Sequence, residues 1–316
     1  MLLVFHGGFP KTATSFLQKK IFVPLDGLGS HSAIKGVSKL RLDLTKHFRP
    51  DLEIGRGGRS LSDCVLEIQR LSARSTIVYS DENLLLSPSW ISNRKLGSST
   101  TVGDLFAETL KELEDALGPD DELRTIITIR RQSQWLASYY AQISNRIHAN
   151  QADFERRLQE FLSDEHTQGL PLLKYDQILK RLVHEFGSER VLMLPMEAMA
   201  EQRYWTELFR FMRVSNNKVP AWDWSPLNQR GYGQSAWKLR PRKLSWHNTL
   251  SDTAFLRSVA KLAERLSRRM LRVVRNRSIV LTPELEKLIS SSYAASNAEL
   301  QQSIPWDLKR LGYLPD

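Results

Sequence analysis

Cysteine occurs once in 316 residues, at Cys64, which excludes an internal disulfide framework and Cys-rich zinc sites and points to a reducing compartment. No apolar run approaches the ~20 residues that span a bilayer. Nothing like a signal or anchor precedes the apolar run that starts at Leu2, so the expectation is a cytoplasmic protein. Also missing is a Gly, four residues, then Gly-Lys-Ser/Thr, the loop that cradles nucleoside triphosphates. Acidic residues are scarce in one segment: Arg230 to Arg277 carries 13 Lys/Arg against 2 Asp/Glu, enough to account for the whole net charge of +10. The basic character is local. It suits nucleic acid, anionic lipid, an acidic substrate or a trianionic cofactor.

What is present suits one packed α/β chain. Hydrophobic residues make up 41% and aromatics 9%, ample for a core. Residues 1–316 are expected to form a single domain with a basic helical part from about 230 to 316.

The stretch Leu2 to Gln18, Leu-Leu-Val-Phe-His-Gly-Gly-Phe-Pro-Lys-Thr-Ala-Thr-Ser-Phe-Leu-Gln, reads as strand, tight loop and helix start in succession. Leu2–Phe5 is the unbroken apolar run of a strand covered on both faces. Gly7, Gly8 and Pro10 end it. The small hydroxylated residues Thr12 to Ser15 let an anion approach the backbone N–H groups that open the helix, and Lys11 adds a mobile charge. Free N–H groups, the positive helix end and a lysine make a phosphate site.

A second informative stretch begins at the strand Arg124–Ile129 and continues Arg130-Arg-Gln-Ser-Gln-Trp-Leu-Ala-Ser138-Tyr-Tyr-Ala-Gln142. An arginine at the carboxyl end of a parallel strand stands where open α/β sheets bind ligands. Ser138, eight positions on, lies about two helical turns further along. Arginine offers a fork of donors suited to phosphate and serine adds one more.

Pro10, Lys11, Thr12, Thr14, Ser15, Phe16 and Leu17 resemble the 5′-phosphosulfate loop of sulfotransferases that use 3′-phosphoadenosine 5′-phosphosulfate (PAPS), and Arg130 with Ser138 resembles the 3′-phosphate motif of the same family. Ala13 stands where the family usually has glycine, which implies a helical backbone that alanine tolerates. The resemblance implies a P-loop-like, nucleotide-kinase-like fold: a central parallel β-sheet flanked by helices. It implies PAPS as donor, 3′-phosphoadenosine 5′-phosphate (PAP) as product, no metal, and an acceptor hydroxyl. In that reading Lys11 serves the leaving oxygen, and Pro10 to Phe16 hold the 5′-phosphate through backbone and the hydroxyls of Thr12, Thr14 and Ser15. The segment Pro226–Lys238 is similar to the family's closing loop, one residue short, which makes Arg230 a further cofactor contact.

The base must come from elsewhere. Ser75–Tyr79 reads as a second buried strand, and Glu82 follows it at the sheet's carboxyl edge. Relatives acting on sugars often use a glutamate and others a histidine, so Glu82 is the first candidate, with His148 and His31 behind it. A helix cap is the other reading of Glu82.

The remaining elements read as scaffold. Thr101–Gly118 is an amphipathic helix, Asp176–Gly187 another, Arg190–Met196 a fourth strand ending at Glu197, and Trp205, Phe209 and Met212 core. Arg56 and Arg59 sit in a glycine-rich loop. Residues 255–274 form a basic amphipathic helix, a solvated surface or a contact for a polyanionic or lipid-linked acceptor at a membrane surface. Thr282-Pro283 caps a last helix. Its end, Tyr293 to Leu300, and the tail Leu311–Leu314 resemble the carboxyl terminus of bacterial and glycan-type sulfotransferases. The acceptor is expected on a carbohydrate or glycolipid, with no nucleic acid as partner. Two other classes fit some of these residues: a P-loop phosphotransferase using Asp81 for a metal, and a nucleic-acid binder using the basic segment.

Overall fold

The computed structural model describes residues 1–22, 28–29, 60–71, 76–80, 101–144, 147, 149–163, 172–214, 236–240 and 278–315. Glu82, His148, His31, Asp81, Arg230, Arg56, Arg59 and the segment 255–274, expected as a basic helix, lie outside these residues.

Five strands form one parallel sheet: β1 (Leu2–His6), β2 (Leu28–Gly29), β3 (Thr76–Ser80), β4 (Glu122–Ile129) and β5 (Val191–Pro195), in the order β2-β3-β1-β4-β5. All of Leu2–His6 is buried, as a central strand with helices over both faces requires. Four of these strands stand where the apolar runs predict them; the two-residue β2 is an addition. From β1 the chain passes outward to one side of the sheet and from β4 to the other. The reversal falls between the carboxyl ends of β1 and β4, where open α/β sheets bind their ligands.

Register sets the height of that crevice. His6 pairs with Ser80 on one side and Ile126 on the other, and β4 runs on to Ile129. The residues after β1 therefore have a strand edge still beside them. Gly7 donates its N–H to Ile126 O at 3.0 Å and Phe9 to Thr128 O at 3.2 Å, so the loop continues the ladder along β4.

The helices are α1 (Thr14–Phe16, extended in π geometry over Leu17–Phe22), α2 (Leu61–Leu71), α3 (Val102–Asp115), α4 (Gln132–Ile143), α5 (Gln151–Ser163), α6 (Tyr175–Phe186), α7 (Gln202–Phe211) and α8 (Pro283–Ser303). Thr101 caps α3 in a reciprocal pair with Asp104, and Phe106, Leu110 and Leu113 are buried beneath it. Helix α3 rests on α6 closely enough that a Cβ on Gly103 would meet Ile178 Cα at 3.4 Å. Thr282 caps α8, accepting from Leu285 N at 3.3 Å, with Pro283 at the first turn; both are the expected signals. Trp205, Phe209 and Met212 are core, as their spacing implies, each burial worth roughly 2 kcal/mol or more.

A small antiparallel pair, β6 (Ala236–Lys238) with β7 (Ser278–Val280), is not foreseen by the sequence reading. It buries Trp237 and Ile279 and is tied to α5 by Gln151, which bonds both N and O of Val280. Among the described residues no helix is long and apolar enough to cross a membrane.

Candidate active site

The loop from Gly7 to Ala13 is held at almost every peptide. Beyond the two ladder bonds to β4, the Trp135 indole donates to Pro10 O at 2.7 Å and Arg130 Nη1 donates to Lys11 O at 3.2 Å. Trp135 is itself fixed by stacking on Tyr139, with centroids 4.8 Å apart. Phe9 lies edge-on against Trp135 and Tyr175. The two stretches that the sequence singles out thus meet through α4 and the end of β4.

The loop's backbone departs from the expectation at Ala13. Its φ is 61° and ψ 15°, in the left-handed region, and Lys11 also has φ 68°; a helical conformation does not describe either. A Cβ there costs about 1–2 kcal/mol per residue. The tie from Arg130 to Lys11 O and the β4 ladder supply the constraint that keeps the turn in place. The consequence is a backbone that turns sharply into the helix: Phe16 and Leu17 both donate to Ala13 O, so the first helical turn closes on that one carbonyl.

The hydroxyls are divided rather than shared. Thr12 is fully buried, its Oγ1 donating to Phe9 O and meeting Thr128 Oγ1 at 2.8 Å. It is turned into the protein, away from the open side of the loop, so the direct phosphate contact expected of that hydroxyl is replaced by a structural one. Thr14 is buried and Ser15 exposed. Lys11 and Phe16 are partly exposed at the rim.

Arg130 follows β4 and is mostly buried, so desolvation pulls its pKa below the ordinary arginine value while the Glu197 charge opposes this. Its Nε is buried and, among the described residues, has no hydrogen-bond partner. An N–H in that state costs about 1–3 kcal/mol and marks a place for an acceptor. The arginine turn is braced from behind. Glu197 accepts from Arg131 N at 3.0 Å and from the Tyr313 hydroxyl at 2.7 Å. The Tyr175 hydroxyl donates to Arg130 O at 2.8 Å. Gln132 and Asn297 exchange side-chain bonds, and Asn297 also donates to Tyr313 O at 2.8 Å. Burial and the nearby Glu197 charge raise the Tyr313 pKa, keeping its hydroxyl a donor. Ser138 lies two turns into α4 and is partly exposed.

Beneath the loop is a buried polar set that the sequence reading passes over. His6 Nδ1 lies 2.7 Å from Ser80 Oγ and Nε2 3.3 Å from Thr128 Oγ1, and Gln18 Nε2 donates to Ser80 Oγ at 2.9 Å. Its signal was available: polar residues interrupting strands that are otherwise apolar. Of the expected catalytic groups, Lys11 is at the site, and Glu82 and His148 lie outside the described residues. Ser80, the end of β3, pairs with His6 beside the loop, which meets the condition for a residue just past β3 to approach it. Among the described residues no group of three or more His, Cys, Asp or Glu is arranged to hold a metal ion.

A parallel sheet of this order, flanked by helices, with a tight strand-to-helix loop after β1 and an arginine after β4, defines an α/β protein of P-loop-like fold. Its fold is that of the sulfotransferases. A sulfotransferase from Alicyclobacillus acidocaldarius superposes with a TM-score of 0.51 over 98% of this chain and 97% of that one, at 16% identity. Two further solved structures are similar over less favourable superpositions. The sulfotransferase domain from the curacin biosynthetic pathway gives 0.38 at 12% identity, covering 68% of this chain and 74% of that one. The sulfotransferase domain of the Synechococcus PCC 7002 olefin synthase gives 0.38 at 11% identity, covering 84% and 94%. No protein-family model and no curated protein matches the sequence.

Proposed function

We propose that this protein is a sulfotransferase that moves the sulfuryl group of PAPS to an acceptor hydroxyl. The observation that carries the reading is the hydrogen bond from Arg130 to the carbonyl of Lys11, which joins two anion-binding elements at one sheet edge. In the transfer, the acceptor oxygen attacks sulfur in line, the bond from sulfur to the 5′-phosphate oxygen breaks, and negative charge grows on that leaving oxygen. Lys11 neutralises it. The N–H groups of residues 13–15 and the exposed Ser15 hydroxyl hold the 5′-phosphate, between Pro10 and Phe16. Arg130, with an Nε in need of an acceptor, takes the 3′-phosphate with Ser138, and Arg230 closes over it.

Glu82 is assigned the acceptor proton, with His148 in reserve. The acceptor in this reading is a hydroxyl of a carbohydrate or glycolipid. The basic segment from Arg230 to Arg277 supports an anionic or lipid-linked acceptor met at a membrane surface on the cytoplasmic side. Lys11, Arg130 and the helix opening supply the positive charge, so the reading uses no metal.

Calorimetry with PAP and with ATP, each with and without magnesium, tests the donor. PAP binding without magnesium and tighter than ATP is the expected result; magnesium-dependent preference for ATP would sink the reading in favour of a phosphotransferase. Transfer of labelled sulfate from PAPS to a panel of glycans, glycolipids and phenols then identifies the acceptor class.

A further inference from the structure

We infer that His6 is a positioning residue, a neutral imidazole protonated on Nε2 at the centre of a one-way hydrogen-bond chain that grips the phosphate loop at both ends. The inference rests on reading residues 10–16 as the donor's phosphate loop.

The direction follows from donor and acceptor accounting. Thr12 Oγ1 donates to Phe9 O, so in its 2.8 Å contact with Thr128 it accepts and Thr128 donates. A hydroxyl has one proton. Thr128, having spent it, accepts from His6 at 3.3 Å, which puts the imidazole proton on Nε2. At the other end Gln18 Nε2 is a donor and Ser80 Oγ accepts from it. The Ser80 proton is then free for His6 Nδ1 at 2.7 Å, and Nδ1 accepts. Each of the four middle groups then donates once and accepts once along the chain: Gln18 to Ser80 to His6 to Thr128 to Thr12 to Phe9 O.

An imidazolium would break this order, because both nitrogens would donate and the Ser80 proton would lose its acceptor. Burial agrees with the neutral form: His6 is fully enclosed, with Phe22 edge-on to its ring at 5.1 Å. The chain also sits directly under the loop backbone. A Cβ on Gly8 would fall 2.0 Å from Thr128 Oγ1 and 3.0 Å from His6 Nε2, so glycine is required for the loop to lie on it.

The placement gives the chain its purpose. Thr12 is inside the loop and Gln18 is in the helix that follows, so the two ends of the phosphate-binding turn are tied to β4 and β3 through one ring on β1. The peptide of Phe9 is clamped twice, by Thr128 O at its N–H and by the Thr12 hydroxyl at its carbonyl. None of these groups faces the ligand. They set where the N–H groups and Lys11 point.

The test has two readouts. Nitrogen NMR of the imidazole in ligand-free protein at neutral pH should show an unprotonated, accepting Nδ1 and a protonated Nε2; the opposite tautomer, or an imidazolium, overturns the chain. Thr128→Val keeps the shape and removes the hydroxyl, leaving the His6 proton without an acceptor. PAP affinity should fall roughly tenfold or more, and Thr128→Ser should restore most of it. Unchanged PAP affinity in Thr128→Val, with only a lower melting temperature, would reduce the set to a structural one and overturn the inference. Failure of the wild-type protein to bind PAP at all would defeat the donor reading instead, and the imidazole spectrum would still decide the chain.

Discussion

Arg130 crosses 119 residues of sequence to donate its Nη1 proton to the carbonyl oxygen of Lys11 at 3.2 Å. The bond uses the backbone of Lys11, so the lysine side chain takes no part in it, while the position of the residue is fixed by Arg130. Removing the ammonium therefore leaves the contact in place, whereas removing the guanidinium disturbs both.

Lys11→Ala should abolish most of the activity with the fold intact. Charge on the leaving oxygen appears mainly in the transition state, and a positioned donor to it is worth roughly 10²-fold or more in turnover. Turnover above about a tenth of wild type, with melting temperature unchanged, would remove Lys11 from this role.

Arg130→Gln and Ser138→Ala should each weaken PAP more than adenosine 5′-phosphate, which lacks the 3′-phosphate. Titration of both nucleotides against each variant gives the ratio. Arg130→Gln should also weaken adenosine 5′-phosphate somewhat, because the Lys11 carbonyl loses its donor; Ser138→Ala should not. Equal losses for the two ligands in Ser138→Ala would place that serine away from the 3′-phosphate.

Ala13→Gly should stabilise the protein. The left-handed φ of 61° at Ala13 costs about 1–2 kcal/mol, and the added freedom of glycine in the unfolded chain returns about 0.4–1 of it, for a net gain near 0.5–1 kcal/mol. Chemical denaturation measures this directly. A loss of stability would show that residue 13 is not left-handed in solution.

His6 gives the stability curve a defined acid slope. Burial lowers its pKa from 6.5 to about 3, so between these values the unfolded chain carries a proton that the folded protein lacks. Stability from this group is complete above about pH 6.5 and falls by about 1.4 kcal/mol per pH unit on the way down to about 3. His6→Gln cannot titrate and should show a shallower loss over the same range, the carboxylates being common to both proteins. Parallel curves would mean that His6 is accessible to protons in the folded state.

Glu82→Gln separates base from scaffold. A general base contributes ~10²–10⁴ to turnover, so PAP affinity should hold while turnover drops by that factor. A cap would instead cost about 1 kcal/mol of stability and leave turnover nearly unchanged.

The sheet was legible because parallel strands buried on both faces read as short apolar runs, and β1, β3, β4 and β5 all do. That Lys11 and Arg130 share one sheet edge was legible because each stands just past one of these strands. What the sequence hid was direction and handedness. Thr12 reads as a phosphate ligand by its neighbours in sequence, but Thr128, 116 residues away, is what turns it inward. Ala13 reads as helical because alanine stands where the resembled family has glycine, and the ties at Lys11 and Phe9 hold it left-handed instead. His6 follows the apolar run Leu2–Phe5 and drew no reading from it; its partners, Ser80 and Thr128, come from the two strands that flank β1. The tail was visible as a likeness without a role, which Tyr313 and Asn297 now have behind the arginine turn.

That bracing imposes an order in time. The loop is encoded at residues 7–16, yet the turn carrying Arg130 is secured by Gln132 with Asn297, 165 residues further on, and by Glu197 with Tyr313, 116 residues apart. During synthesis the phosphate loop and β4 emerge early, while the groups that fix the arginine leave the ribosome some 180 residues later at a few to twenty per second. On the proposed function, nucleotide binding waits for Tyr313 to be made. On that reading a nascent chain short of Tyr313 has Lys11 but not the braced arginine turn, so capture of the donor before Tyr313 is made is disfavoured by the same contacts that hold Arg130 in place.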